Sequence, residues 1–474
     1  MKKKYVRWTL WTIASPFILF IILCILIYLP PIQNFLVDKA AVYASEATGM
    51  NISVGRISLS FPLNLVVTNV DAASPHNDTL LSVRRLQVNV QLLPLLKKQV
   101  EVDGISLQGA TVNSNDLIHG MKLNGTLGEL FISSHGVALD PETAIVNKVL
   151  LKDTDLSLCL NDTAAADTAA SDTTYWKIIL QDIDLQNVSF ALDMPLDSLS
   201  LAASLDNAIL RDGLIDLHKS TYSLQTFRIE NGRVRYDNGK PLAADSLSSG
   251  LDPSHIALTD IGVKLDSLYY EGRNMKAIIS QFVLKERSGV EIVSATGRMV
   301  SNDKVLRVPS LKLETRDSYL ELNAAMDWNA LDFKDEGLVS ARLMADIGKP
   351  DVVRFMGRMD EKFVRQYPSE PLRIRTGIDG DLNKLKLTTL TAELPGALGL
   401  FARGELTHLT DSLLRGGDIT LEAETKDLKF VSTLAEGIEI PYGTRLEGKF
   451  TMAGAKMGTD LLLMQPEAQA VAAA

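Results

Sequence analysis

The chain has 474 residues, a net charge of −10, 46% hydrophobic residues and only two cysteines. A phosphate-reading surface needs clustered Lys and Arg, so this charge excludes nucleic-acid binding. Cys24 lies in an apolar run and Cys159 far from it in sequence, which excludes a disulfide-stapled scaffold.

The basic residues Lys2, Lys3, Lys4 and Arg7 precede Trp8–Leu29, a nearly unbroken apolar run of 22 residues. As a helix this run is about 33 Å long, enough for a hydrocarbon core of roughly 30 Å. Trp8, Trp11 and Tyr28 stand near its ends, where amphipathic rings prefer the headgroup level. The sequence therefore predicts a cytoplasmic tail over 1–7 and a transmembrane helix over 8–29, with the rest of the chain outside the cytoplasm. A cleaved signal peptide is the competing reading. Its apolar region is shorter, and Tyr28-Leu29-Pro30-Pro31 is a poor cleavage site.

Residues 30–49 read as a juxtamembrane helix, with Ile32, Phe35, Leu36, Ala40, Tyr43 and Ala47 on one stripe and Gly49 as its stop. From Met50 the period changes to two. Over 50–160, apolar side chains at Ile52, Val54, Ile57, Leu59, Leu86, Val88, Val90, Leu92, Leu156, Leu158 and Leu160 alternate with polar ones. These eleven positions are the candidate apolar face. Residues 175–460 carry further alternating runs, including Leu311–Met326, Leu382–Leu387 and Ile419–Ala423. Asn231-Gly232, between Ile229 and Val234, reads as a hairpin turn. The best helical stripe of the body is Asp346–Gln366, through Val352, Phe355, Met356, Met359 and Phe363. Residues 461–474 read as a tail, with no strand pattern from Gln465 on.

Strands with one apolar and one polar face form an antiparallel sheet wet on one side. The apolar face needs a cover: a second sheet, a helix or a ligand. One or two short helices cannot cover so many strands. Between the two β regions lies Asn161–Thr174, a low-complexity loop with no large apolar residue. Its repeats Asp162-Thr163-Ala164, Asp167-Thr168-Ala169 and Asp172-Thr173-Thr174 resemble the acceptor pattern of some periplasmic O-glycosylation systems. Thr163, Thr168 and Thr173 are thus candidate glycosylation sites, with a plain spacer as the other reading. The six histidines have no metal-ligand spacing, and no HExxH, GxSxG, P-loop or CxxC pattern occurs. The expectation is a protein without catalytic residues, metal or cofactor.

Several stretches together resemble the AsmA-like superfamily, and most of all the TamB-type envelope proteins of Gram-negative bacteria. They are the apolar run followed by Ala47–Ile57, then Leu80–Val83, Val90–Leu96, Val100–Leu107, Phe282–Val290 and Leu311–Ser318. The resemblance implies a fold in which a long antiparallel sheet curls into an open apolar groove, as in bridge-like lipid-transfer proteins. It also implies an inner-membrane-anchored periplasmic protein that takes phospholipid acyl chains. Such a protein supports phospholipid transport between inner and outer membranes and outer-membrane assembly. TamB-type chains are longer and end in a domain that engages an outer-membrane barrel partner. No such domain is recognisable here, so the resemblance is to an N-terminal part or a short member. The rival expectation is a structural scaffold of an envelope assembly or secretion complex that carries no lipid.

Overall fold

The computed structural model describes residues 39, 41, 42, 45, 46, 48–60, 64–74, 78–91, 102–114, 120–138, 142–161, 175–240, 250–334, 337–357, 360–434, 440–454, 456–465 and 468–473. The predicted transmembrane run, Met359, Leu92 and the loop threonines lie outside them. No helix among the described residues is long and apolar enough to cross a membrane. Gly49, at φ +70°, donates its N–H to the Ser45 carbonyl at 2.9 Å and so stops a helical turn, as the sequence predicts.

The chain is mainly β and divides into two units, residues 1–209 and 210–474. In the first, β1 (Asn51–Ser60), β2 (Asn64–Ala73), β3 (Thr79–Val90), β4 (Val102–Asn113), β5 (Met121–Ala138) and β6 (Thr143–Leu160) pair antiparallel, each with the next. β7 (Lys177–Met194) breaks the rule and runs parallel to β6, Thr143 opposite Lys177 and Leu158 opposite Leu192. This departs from the all-antiparallel sheet that the sequence predicts. A parallel neighbour needs a crossover of a dozen or more residues, and the 16 residues between Leu160 and Lys177 supply one.

β8 (Leu199–Asp216) crosses the boundary between the units. In the second unit β9 (Thr221–Leu224) pairs with the end of β8 and with β11 (His255–Glu271), which also takes β10 (Thr226–Asp237). From β11 on, every strand pairs antiparallel with the next. The series is β12 (Asn274–Glu286), β13 (Glu291–Ser301), β14 (Val305–Thr315), β15 (Tyr319–Asp327), β16 (Leu338–Ile347), β17 (Leu372–Asp381), β18 (Lys384–Leu394), β19 (Leu398–Thr407), β20 (Gly416–Thr425), β21 (Arg445–Ala453), β22 (Lys456–Gln465) and β23 (Ala468–Ala473).

Four sequence expectations change. Asn231-Gly232 is not a hairpin: Asn231, at φ +54°, sits inside β10 and shifts its register against β11. The left-handed preference of Asn serves a bulge as well as a turn. Leu311–Met326 is two strands, because Arg316-Asp317-Ser318 turns between β14 and β15. The helix expected over 346–366 starts later and is broken in two. A short helix, α1 (Trp328–Leu331), precedes β16, and Asp346 and Ile347 finish that strand. Only then come α2 (Lys349–Met356) and α3 (Glu361–Gln366). Gly357, at φ +72°, ends α2, and the Asp360 side chain accepts the Lys362 N–H to start α3. Finally the C-terminal stretch pairs as β23 against β22, where the sequence predicts a tail.

The helices serve the strand ends. Phe363 and Tyr367 at α3 pack with Leu394, Ala397, Leu428 and Phe430, the last from a 3-10 turn over Lys429–Thr433. The rings meet edge-on: Phe363–Phe430 at 5.7 Å and Tyr367–Phe430 at 5.1 Å. On α2 the Asp351 carboxylate is buried. It accepts hydrogen bonds from the hydroxyls of Thr315 and Ser318, at 2.6 Å from the latter, and pairs with Arg354 at 3.0 Å. This ties α2 to the β14–β15 turn. Both features close one rim of the strands of the second unit.

Candidate functional site: an apolar sheet face

Residues directly opposite on paired strands share a face, so the register shows which apolar side chains meet. In the first unit Leu59, Leu65, Val88, Ile105, Ile132, Val149 and Ile183 form one row across β1 to β7. The next row is Ile57, Val67, Leu86, Leu107, Leu130, Leu151 and Leu185. Beyond it, Val54 stands opposite Val70, Ile52 opposite Ala72, and Leu156 opposite Phe190. Of the candidate face, every described member among Ile52, Val54, Ile57, Leu59, Leu86, Val88, Val90, Leu156, Leu158 and Leu160 lies in a paired strand and is half-buried.

Between Val54 and Ile57 the spacing is three residues, which in an unbroken strand would send them to opposite faces. The exposed positions of β1 shift in step: Asn51, Ser53 and Gly55, then Arg56 and Ser60. Left-handed residues absorb the extra position. Asn69 (φ +51°), Gly109 (φ +62°), Asp153 (φ +49°) and Asn187 (φ +51°) do so in β2, β4, β6 and β7, and Asp260 (φ +52°) does so in β11 of the second unit. In the first unit these residues lie at one level of the ladder, each skipped by the paired register. Their neighbours make room. A Cβ on Gly55 would meet the Asn69 Cβ at 3.0 Å, and one on Gly128 the Asp153 Cβ at 2.8 Å. Asn187 donates its amide to Asp153 at 2.9 Å. The sequence signal is an apolar residue, a polar one, Asn, Asp or Gly, then a residue of the inner face: Val67-Thr68-Asn69-Val70, Leu107-Gln108-Gly109-Ala110, Leu185-Gln186-Asn187-Val188.

The second unit carries an apolar face of the same width that the candidate positions omit. Leu320, Ala345, Ile374, Ala392, Leu400, Ala423 and Leu446 stand opposite one another in turn across β15 to β21. The row two residues away reads Leu322, Leu343, Thr376, Leu390, Ala402, Leu421 and Gly448. From β16 to β21 a large residue in one row sits beside a small one in the other. This checkerboard lets large side chains lean over small ones: Ala345 is 2% exposed and Ala402 3%, while their Leu and Ile neighbours are half-buried. Alanine and glycine hide it from a reading tuned to large apolar residues.

The opposite face is solvated and charged. Arg375 pairs with Asp346 at 2.7 Å, Lys384 with Glu405 at 3.2 Å and Lys449 with Asp418 at 3.4 Å. A four-membered chain crosses further strands: Asp260–Lys285 at 2.8 Å, Lys285–Glu291 at 3.8 Å and Glu291–Arg316 at 2.5 Å. The Asp260 carboxylate, by hydrogen bond and charge, raises the Lys285 pKa above its ordinary value. At the strand ends Arg273 lowers that of Asp332, and the hydrogen bond from His255 lowers that of Asp252. None of these groups stands in the apolar rows. Two depressions in the second unit, about 260 and 290 Å³, are lined by mixed polar and apolar residues such as Glu393, Phe401 and Arg445, or Arg307 and Asp379. They fall below the ~300–1,000 Å³ of small-molecule pockets. No group of three metal-binding side chains occurs among the described residues.

What the site can do chemically is bind without direction: it offers methyl and methylene groups in rows and no reacting group. No protein-family model matches the chain, and no curated protein matches it.

Proposed function

We propose that this chain is an inner-membrane-anchored periplasmic protein that holds phospholipid acyl chains on its apolar sheet faces. The observation that supports this reading is the row from Leu320 to Leu446, seven strands wide, whose large side chains Leu320, Ile374, Leu400 and Leu446 are only half-buried. A curled sheet with its apolar side inward leaves a groove, and acyl chains are the missing layer. Burial would contribute roughly 0.8 kcal/mol per CH₂ and select chain length over headgroup. The cellular role that goes with it is phospholipid transport between the two membranes and outer-membrane assembly, with an outer-membrane barrel as partner.

A photo-crosslinking residue at Val88 or Leu390 should capture phospholipid in the native envelope, and one at Gln87 or Lys386 should not. Capture at the polar positions alone would put the faces the wrong way round, and none at either would favour the scaffold reading. Leu400→Asp separates a groove from a closed core. In a groove it abolishes lipid capture and leaves the urea midpoint nearly unchanged; in a closed core it buries an unpaired charge and unfolds the second unit. Alkaline phosphatase fused after Gly49 should be active, and a silent fusion overturns the orientation. The loop threonines belong to the same compartment: intact mass from the native host should show added sugar that Thr163→Ala, Thr168→Ala and Thr173→Ala together remove.

A further inference from the structure

In the second unit the apolar face does not stop short of the strand ends. Its last row passes Leu385, Leu406 and Met452 and ends at Met457, the second residue of β22. Met457 is 81% exposed. The Gly454 N–H donates to the Arg415 carbonyl at 2.7 Å, which sets this hairpin against the β19–β20 connection. That connection presents Leu413 and Leu414, 85% and 63% exposed. The β15–β16 connection, on the same rim, presents Phe333 at 71%. The opposite rim carries α2, α3 and the ring cluster, and there the apolar rows end under Phe363 and Tyr367, with Phe355 and Tyr442 exposed beside them.

We propose that this open rim seats in the surface of a lipid bilayer, with Phe333, Leu413, Leu414 and Met457 inserted among the acyl chains. Two features select a bilayer over a protein partner. The tips form two groups, Phe333 on one side of the β17–β18 turn and its buried Leu382, and Leu413, Leu414 and Met457 on the other; a fluid surface takes separated groups, whereas a protein groove needs one contiguous patch. And the row that ends at Met457 runs through Leu385, Leu406, Gly417 and Met452 with no polar residue, so at Met457 the rim joins the apolar face to the membrane interior. Local charges are of both signs, Lys334, Arg415 and Lys456 against Asp332 and Asp411, so insertion and not charge attraction drives the contact.

The test uses the full chain with Cys24→Ser and Cys159→Ser, reconstituted in vesicles of phosphatidylethanolamine and phosphatidylglycerol. An environment-sensitive dye is placed by Leu414→Cys, or by Met457→Cys in a second variant. Controls carry it at Lys386 on the solvated face, Leu390 on the apolar face and Tyr442 on the closed rim. The expected result is a blue shift at 414 and 457, quenched by nitroxide-bearing phospholipid, unchanged in molar salt and absent at 386 and 442. Emission at 414 and 457 as water-like as at 386 overturns the proposal, as does a blue shift at 442 in their place. The inference goes beyond the acyl-chain reading, and the Leu390 probe reports that reading in the same vesicles, so the two fail separately.

Discussion

Asn187 shows how much one backbone conformation decides here. Its left-handed φ lets Leu185 and Val188, three apart, keep to one face. Glycine adopts that conformation freely, whereas for a β-branched side chain it costs about 1–2 kcal/mol. Asn187→Gly should leave the urea midpoint near that of the parent, and Asn187→Val should lower stability by about that amount; equal midpoints would remove the kink from the account. Asp351 is the second sensitive residue. Replacing it by Ala leaves the Thr315 and Ser318 hydroxyls without their shared acceptor, while Arg354 keeps Asp317 at 2.9 Å, and urea unfolding should show a loss of about 1–3 kcal/mol. The alternation of Leu86, Val88 and Val90 is legible in the sequence because period two has no other common cause. Asn231 is misread there because its left-handed preference marks turns and bulges alike, and only pairing with β11 tells which.

Among the elements, the parallel pair β6–β7 makes the sharpest demand. Leu160 ends β6 at one rim, and Lys177 begins β7 beside Thr143 at the other. From Thr143 to Leu160, β6 advances by about 3.3 Å per residue and so spans about 56 Å. The 17 steps from Leu160 to Lys177 reach at most about 56–61 Å. The reach of 17 steps thus barely exceeds the length of β6. Removing residues 163–167 shortens that reach by about 17 Å. A disulfide between Ile145→Cys and Ile179→Cys, opposite in the present register, should form in the parent and fail in the deletion. A five-residue insertion should keep it, since loop lengthening costs little. Survival of the crosslink in the deletion would refute the length requirement, and its failure to form in the parent would refute the parallel register. Composition marks this loop in the sequence but hides that its length is a structural requirement, because strand direction leaves no mark in the alternation of side chains.

For the molecule as a whole, nearly every strand pairs with the strand before and after it, as β3 through β6 do in the first unit and β11 through β23 in the second. Stability in such a ladder is close to a sum of intrinsic and nearest-neighbour contributions. Unfolding in urea should therefore proceed in stages, with amide exchange in β21–β23 outpacing that in β14–β18, which α2 and the Asp351 cluster hold. A single transition with uniform exchange would contradict this. The same neighbour-to-neighbour pairing also orders events in time. A strand that needs only its predecessor can dock as soon as it emerges, so from β11 on the sheet can lengthen from its growing end during synthesis, one hairpin after another, without waiting for the C-terminus.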